Sequence, residues 1–262
     1  MAAFLIPPSS DFASPVGGRS QIDLQGGDNV VYANGADTIY AGNGFDQVYG
    51  ADFDTEIYGD SGFLYVKEGN GDNYVDLGYG RGEVFGGLGR DTLIGGGAGN
   101  SYLVANGGDD LLISRNADIS YGSSGDTEFV GSQTGFDTMV GGTGRNLFFQ
   151  TGEGVAFTGP GASTVVGGSG GNTVFFESGS ALAYTGGGPT DYILQKGASG
   201  GSDAIVDFRP GFDRVVLDGY SSAEIGRAVA TVQHGGYGST LSFSDGTDLT
   251  LFNVQDVGRA IA

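Results

Sequence analysis

Aspartates on a nine-residue grid carry most of the chemistry open to this chain. Asp28, Asp37, Asp46 and Asp91 fall on the grid, and the positions between hold Thr55, Leu64, Asn73 and Gly82. With 31 acidic residues, one histidine and no cysteine, the available chemistry is that of carboxylates. Two acids can act as a pair on a glycosidic bond, or they can join the shell of a hard cation, which takes about six to eight oxygen ligands. Aspartate also favours turns for purely local reasons. Nothing in the sequence selects one acidic pair for catalysis. A Ser/His/Asp triad or a histidine-ligated zinc site would have to use His234, which sits at a predicted helix end before Gly235 and Gly236, where polar or cationic side chains commonly cap the last turn. The chain is therefore read as a non-enzyme.

The grid belongs to a repeat. Two residues beyond each slot stand Val30, Ile39, Val48, Ile57, Val66, Val75, Val84 and Leu93, and an unbroken aliphatic series at a fixed period marks a repeat architecture. Past Leu93 the period continues with one-residue slips through GGAGNSYLV, ANGGDDLLI, GSSGDTEFV, TGFDTMV, GGTGRNLFF, GGSGGNTVF and GGGPTDYIL, so the repeat spans roughly Gly26 to Leu194. Glycine is 54 of 262 residues, several times its usual share of about 7%. Hydrophobic residues at 39% and aromatics at 11% supply more apolar surface than a disordered chain contains, so the glycines read as turns. Each nonapeptide then gives a tight turn that uses the conformational freedom of glycine, followed by a three-residue strand whose middle side chain points inward. Two nonapeptides make one coil, and stacked coils make two parallel sheets with the aliphatic column between them. One nonapeptide cannot bury its own aliphatic side chain, so stability comes from stacking neighbours.

GGLGRDTLI, from Gly86 to Ile94, fits Gly-Gly-x-Gly-x-Asp-x-aliphatic-x at every position, and the repeat resembles those of the repeats-in-toxin (RTX) proteins. That resemblance implies a parallel β-roll, calcium (Ca2+) in its turns and export by a type I secretion apparatus. It further implies that each ion is shared between turns of successive coils on one edge, eighteen residues apart. On that rule Asp28 is followed by Asp46, and Asp91 by Asp110 and Asp126. Asp118 with Asp137 forms a further pair, and Asp37, Asp191 and Asp203 have incomplete neighbours. Leu64, Gly82 and the stretch Gly154-Val155-Ala156 place no chelating group in the slot.

The charge balance fits bound cations. A net charge of −20 opposes compaction by self-repulsion unless cations offset part of it, and the lack of a basic patch argues against nucleic acid. No apolar run is long enough to span a membrane. Without cysteine, an extracellular chain needs a clamp other than disulfides, and calcium can serve. The positions expected to face outward read Val31, Tyr40, Tyr49, Tyr58, Lys67, Asp76, Phe85, Ile94, Phe149, Val166, Phe175 and Tyr184. They predict apolar stripes along the roll, open either to ordinary cross-strand packing or to a partner such as a cell-surface glycan.

The ends differ. Residues 1–20 are an N-terminal extension with Pro7, Pro8 and Pro15 and no charged leader pattern. Residues 21–200 form the roll, and 201–262 a β-rich cap. In that cap DAIVDFRPGFDRVVLDGY reads as two strands around Pro210-Gly211, and SSAEIGRAVATVQHGG as one short helix with a Ser221/Glu224 capping box and Ile225, Val229 and Val232 on one face. STLSFSDGTDLTLFNV reads as a hairpin turning at Asp245-Gly246. The cap resembles that of RTX proteins, which carries the uncleaved export signal. The expectation is an all-β, secreted, calcium-binding β-solenoid with a structural or adhesive role and self-association. The alternatives are an extracellular enzyme acting on carbohydrate or lipid, or a monomeric glycan- or ice-binding module.

Overall fold

The computed structural model describes residues 2–6, 12–13 and 17–261; Pro7, Pro8 and Pro15 lie outside them. The chain is an all-β parallel solenoid. Successive strands alternate between a 15-stranded first sheet and a 12-stranded second sheet, so each coil adds one short parallel strand to each. Most strands are three to five residues long, as in Thr38–Tyr40 and Phe45–Tyr49.

Alternation within each strand sends the central side chain inward, and stacking turns those side chains into two continuous columns. In the first sheet the column runs Ile22, Ile39, Ile57, Val75, Leu93, Leu112, Phe129, Phe148, Val165, Ala183, Ile205 and Leu251, each partnered with the next. In the second sheet Val31, Val48, Val66, Val84 and Leu103 lead to Ser120, Met139, Ala156, Val174, Tyr192 and Val215. These residues are all buried. Burying one such aliphatic side chain contributes about 1.5–3 kcal/mol, which stacking alone makes available.

Counting in nines misplaces Val31, and it does not foresee the burial of Ile94, which keeps the outward register opposite Asp76 and Ile113. Val31 rather than Val30 stands in the column, opposite Val48, and is fully buried. The step from Val31 to Ile39 is one residue shorter than the period, and a one-residue shift moves a side chain to the other face.

Parallel pairing extends past the last clear repeat. Ser202–Val206 pairs with Ala181–Tyr184, and Arg214–Asp218 with Thr190–Gln195. The two strands flanking Pro210-Gly211 therefore lie in different sheets and close a coil rather than a hairpin. At the other end Ala2–Leu5 pairs in parallel with Ser20–Asp23.

Gly238–Ser242 and Asp248–Phe252 form the antiparallel hairpin expected at Asp245-Gly246, and Asp248–Phe252 also pairs in parallel with Ser202–Val206. The helix Ser222–Ala230 starts with the expected capping box: Ser221 accepts from the Glu224 amide, and Glu224 accepts from the Ser221 amide. Ile225 and Val229 pack against the core from the helix, and Val232 does so from beyond its end. The helix is shorter than expected, and His234 lies in the strand Gln233–Gly235 rather than at a helix end.

Candidate metal centre

The aspartate slot lies two residues before each column residue. By alternation it faces inward, at the corner where a turn enters a strand. In the first sheet it holds Ser20, Asp37, Thr55, Asn73, Asp91, Asp110, Thr127, Asn146, Ser163, Ala181, Asp203 and Leu249, all buried. At five steps of this series the slot side chain of one coil accepts from the slot amide of the coil before, forming a ladder, while the Asp110 amide donates to the Asp126 carbonyl instead. The Ser20 amide donates to Asp37 Oδ1 at 2.7 Å, Thr55 to Asn73 at 3.0 Å, Asn73 to Asp91 at 2.9 Å, Asp91 to Asp110 at 2.9 Å and Ala181 to Asp203 at 2.9 Å. In the second sheet Asn29 donates to Asp46, Ser101 to Asp118, Asp118 to Asp137 and Thr190 to Asp213. One residue earlier a second ladder runs the other way. There the carboxylate accepts from the following coil: Phe45 donates to Asp28, Asp72 to Asp54, Arg90 to Asp72, Asp126 to Asp109 and Arg145 to Asp126.

Each carboxylate has a second oxygen, and the fate of that oxygen separates the sites. Asp118 Oδ2 accepts from the Arg115 amide at 3.0 Å, and Asp137 Oδ2 from the Ser132 amide and hydroxyl. Asp213 Oδ2 takes the Arg209 amide and guanidinium. These three are satisfied by their own turns. Among the described residues, Asp37 Oδ2, Asp91 Oδ2 and Asp203 Oδ2 are buried with no hydrogen-bond partner, and both oxygens of Glu68 are buried outside hydrogen-bond geometry, near the Thr55 hydroxyl. An unpartnered buried charge is unstable in a folded chain, so such groups take up a proton or a cation. Burial, chiefly, pushes Asp91 up to about 6 and Asp110, Asp203 and Glu68 each up to about 7. For Asp110 the adjacent Asp91 adds to the rise, as it does for Glu68. Burial also raises Asp46 and Asp118.

The predicted ligands therefore divide. Asp91 and Asp110 occupy successive slots of one ladder, 19 residues apart and in direct contact. Asp118 and Asp137 likewise stack directly, with their oxygens already used. Asp37 is buried between Ser20 and Thr55 slots, without a neighbouring carboxylate in its ladder. Asp46 is a buried slot residue whose ladder partner is Asn29, while Asp28 lies one residue outside the slot and is exposed. Asp126 also lies one residue outside the slot; the buried position above Asp110 is Thr127. Arg145 pairs with Asp126 and holds its carboxyl below the ordinary range.

The first glycine of the motif has a specific use at Asp91. A Cβ on Gly86 would come within 2.4 Å of Asp91 Oδ2 and 3.0 Å of the Ala105 carbonyl oxygen. Glycine thus leaves a space flanked by an unpartnered carboxylate oxygen and a main-chain carbonyl, with Asp110 next in the ladder. Those are hard-cation donors. Among the described residues no three His, Cys, Asp or Glu side chains converge on one point, so a cation here would draw its remaining ligands from carbonyls and water.

Glu68 was missed by the grid. It stands two residues after Val66, an inward position by strand alternation, and a Cβ on Gly50 would fall 1.6 Å from its Oε2. The legible signal was an acid in phase with the column. No protein-family model matches the chain, and no curated protein matches it.

Proposed function

We propose that this solenoid binds calcium at the Asp91–Asp110 step and serves a structural or adhesive role outside the cell, with export through a type I apparatus using residues 201–262. The observation that carries the reading is the buried, unpartnered Asp91 Oδ2 facing the Ala105 carbonyl beside Asp110. A divalent ion there would neutralise two carboxylates that now repel each other, and it would lower the −20 charge that keeps copies apart. Self-association in calcium follows from the same neutralisation, with the stacked outward rings of Tyr40 and Tyr58, and of Tyr32 and Tyr49, as apolar contact area.

Asp91→Asn with Asp110→Asn is the decisive variant. Calorimetric calcium titration of the wild-type protein should show binding that the double variant lacks, with circular dichroism losing β-signal in chelator only for the wild type. Light scattering through the titration follows assembly.

A second reading has its own observation. Every slot aspartate already accepts a main-chain amide from the preceding coil, so the ladders can hold the coils together with the remaining oxygens protonated and no metal. Absence of calcium binding, with spectra unchanged by chelator, selects this metal-free solenoid.

A further inference from the structure

We propose that the trough along the N-terminal ends of the first sheet's strands binds an extended, uncharged glycan chain lying parallel to the solenoid axis. Two cavities, of about 630 and 430 Å³, open on this side and meet at Arg90 and Thr92. They form one trough that reaches from Arg19 to Thr164. Its shape follows from the ladders. On each coil the residue before the slot and the residue after it point outward, while the slot side chain turns in, which leaves a floor between two raised walls. Successive coils repeat that cross-section about every 4.8 Å, so the trough suits a polymer better than a compact ligand.

The walls carry the mixed donors and acceptors that hydroxyl groups need. Arg90, at the junction, is exposed, and its guanidinium has no ion-pair or hydrogen-bond partner among the described residues. Glu128 is exposed and unpaired on the same terms. Guanidinium and carboxylate groups each engage neighbouring hydroxyls in two-pronged hydrogen bonds. Tyr74, Leu111 and Leu147 lie on the wall that carries Glu128, opposite Arg90, and such side chains pack against the apolar faces of sugar rings.

Other polymers fit worse. The strands cross the trough, and their amides and carbonyls are spent between coils, so no free edge is offered to a peptide strand. The exposed carboxylates of Asp54, Asp72 and Asp109 repel phosphate, which excludes nucleic acid.

The groups invoked are not slot carboxylates, but the trough floor between them includes Asp91 and Asp110, so calcium is held constant while the glycan is titrated. The test titrates the full chain, in millimolar calcium and with its β-signal checked by circular dichroism, with cellohexaose, mannohexaose and xylohexaose and with the matching disaccharides. At least one hexasaccharide should bind about tenfold or more tighter than its disaccharide, and Arg90→Ala and Tyr74→Ala should each weaken it about fivefold or more with the β-signal unchanged. Binding by none of the hexasaccharides, equal affinity for hexa- and disaccharide, or an oligolysine peptide binding where no glycan does would each overturn the proposal. A parallel glycan titration of the Asp91→Asn/Asp110→Asn variant keeps the two proposals distinguishable: glycan binding that survives there while calcium binding is lost leaves the trough standing on its own.

Discussion

Replacing Glu68 by Gln should stabilise this protein at neutral pH and leave it unchanged in acid. Among the described residues both Glu68 oxygens are buried outside hydrogen-bond geometry, and burial raises the group from 4.5 to about 7, with the nearby Thr55 hydroxyl opposing the rise and Asp91 adding to it. A carboxyl whose folded value lies above its unfolded value binds protons more tightly in the folded state. Its contribution is therefore fully present below about 4.5, declines as pH rises, and is lost above about 7. A displacement from 4.5 to about 7 corresponds to about 3 kcal/mol between the two limits. The glutamine side chain has nearly the same shape and no charge, so the Glu68→Gln variant should not show that decline. Urea unfolding in millimolar calcium, followed by circular dichroism at pH 4 and pH 8, gives the comparison. The variant should match the wild type at pH 4 and exceed it by up to about 3 kcal/mol at pH 8. Equal stability at pH 8, or a difference that is the same at both pH values, would refute the claim that Glu68 is an acid buried outside hydrogen-bond geometry.

Three further outcomes follow from packing. Gly144→Ala would set a Cβ 2.0 Å from the Gly125 carbonyl oxygen, whereas a Cβ on Gly171 meets nothing within 4 Å. In thermal unfolding the first should lose about 2 kcal/mol or more and the second less than about 0.5 kcal/mol. Phe148, fully buried with its ring stacked 4.6 Å from Phe129, should cost about 3–5 kcal/mol when cut to Ala, read from the urea midpoint. Ser120 interrupts the second column with a buried hydroxyl that has no partner, so Ser120→Ala should raise the midpoint by the equivalent of about 1 kcal/mol; a lowered midpoint would show that the hydroxyl is satisfied.

The solenoid is legible in the repeat. An aliphatic residue every nine positions has one economical burial, in a stacked column, and the observed ladder from Ile39 through Leu93 is that column. The Ser221/Glu224 box and the Asp245-Gly246 hairpin were legible for the same reason: the interactions that fix them are local in sequence. Tertiary structure decided what depends on turn length and on the opposite sheet. A turn one residue short puts Val31 inside in place of Val30, and a comparable slip puts Thr127 in the slot and Asp126 outside it. Counting cannot see such slips, because each turn absorbs or releases a residue while the pairing between coils stays in register. Parallel pairing likewise persists through Arg214–Asp218 after the sequence period has ended, since longer turns loop out without disturbing the stack. Which carboxylates are left wanting was decided last. Asp137 and Asp91 look alike in the repeat, yet the Ser132 turn folds back to satisfy one, while the other is left beside Gly86 of its own turn and the Ala105 carbonyl of the next coil. That difference lies in the neighbours a side chain meets once the coils are stacked, and those neighbours sit on strands the repeat treats as equivalent.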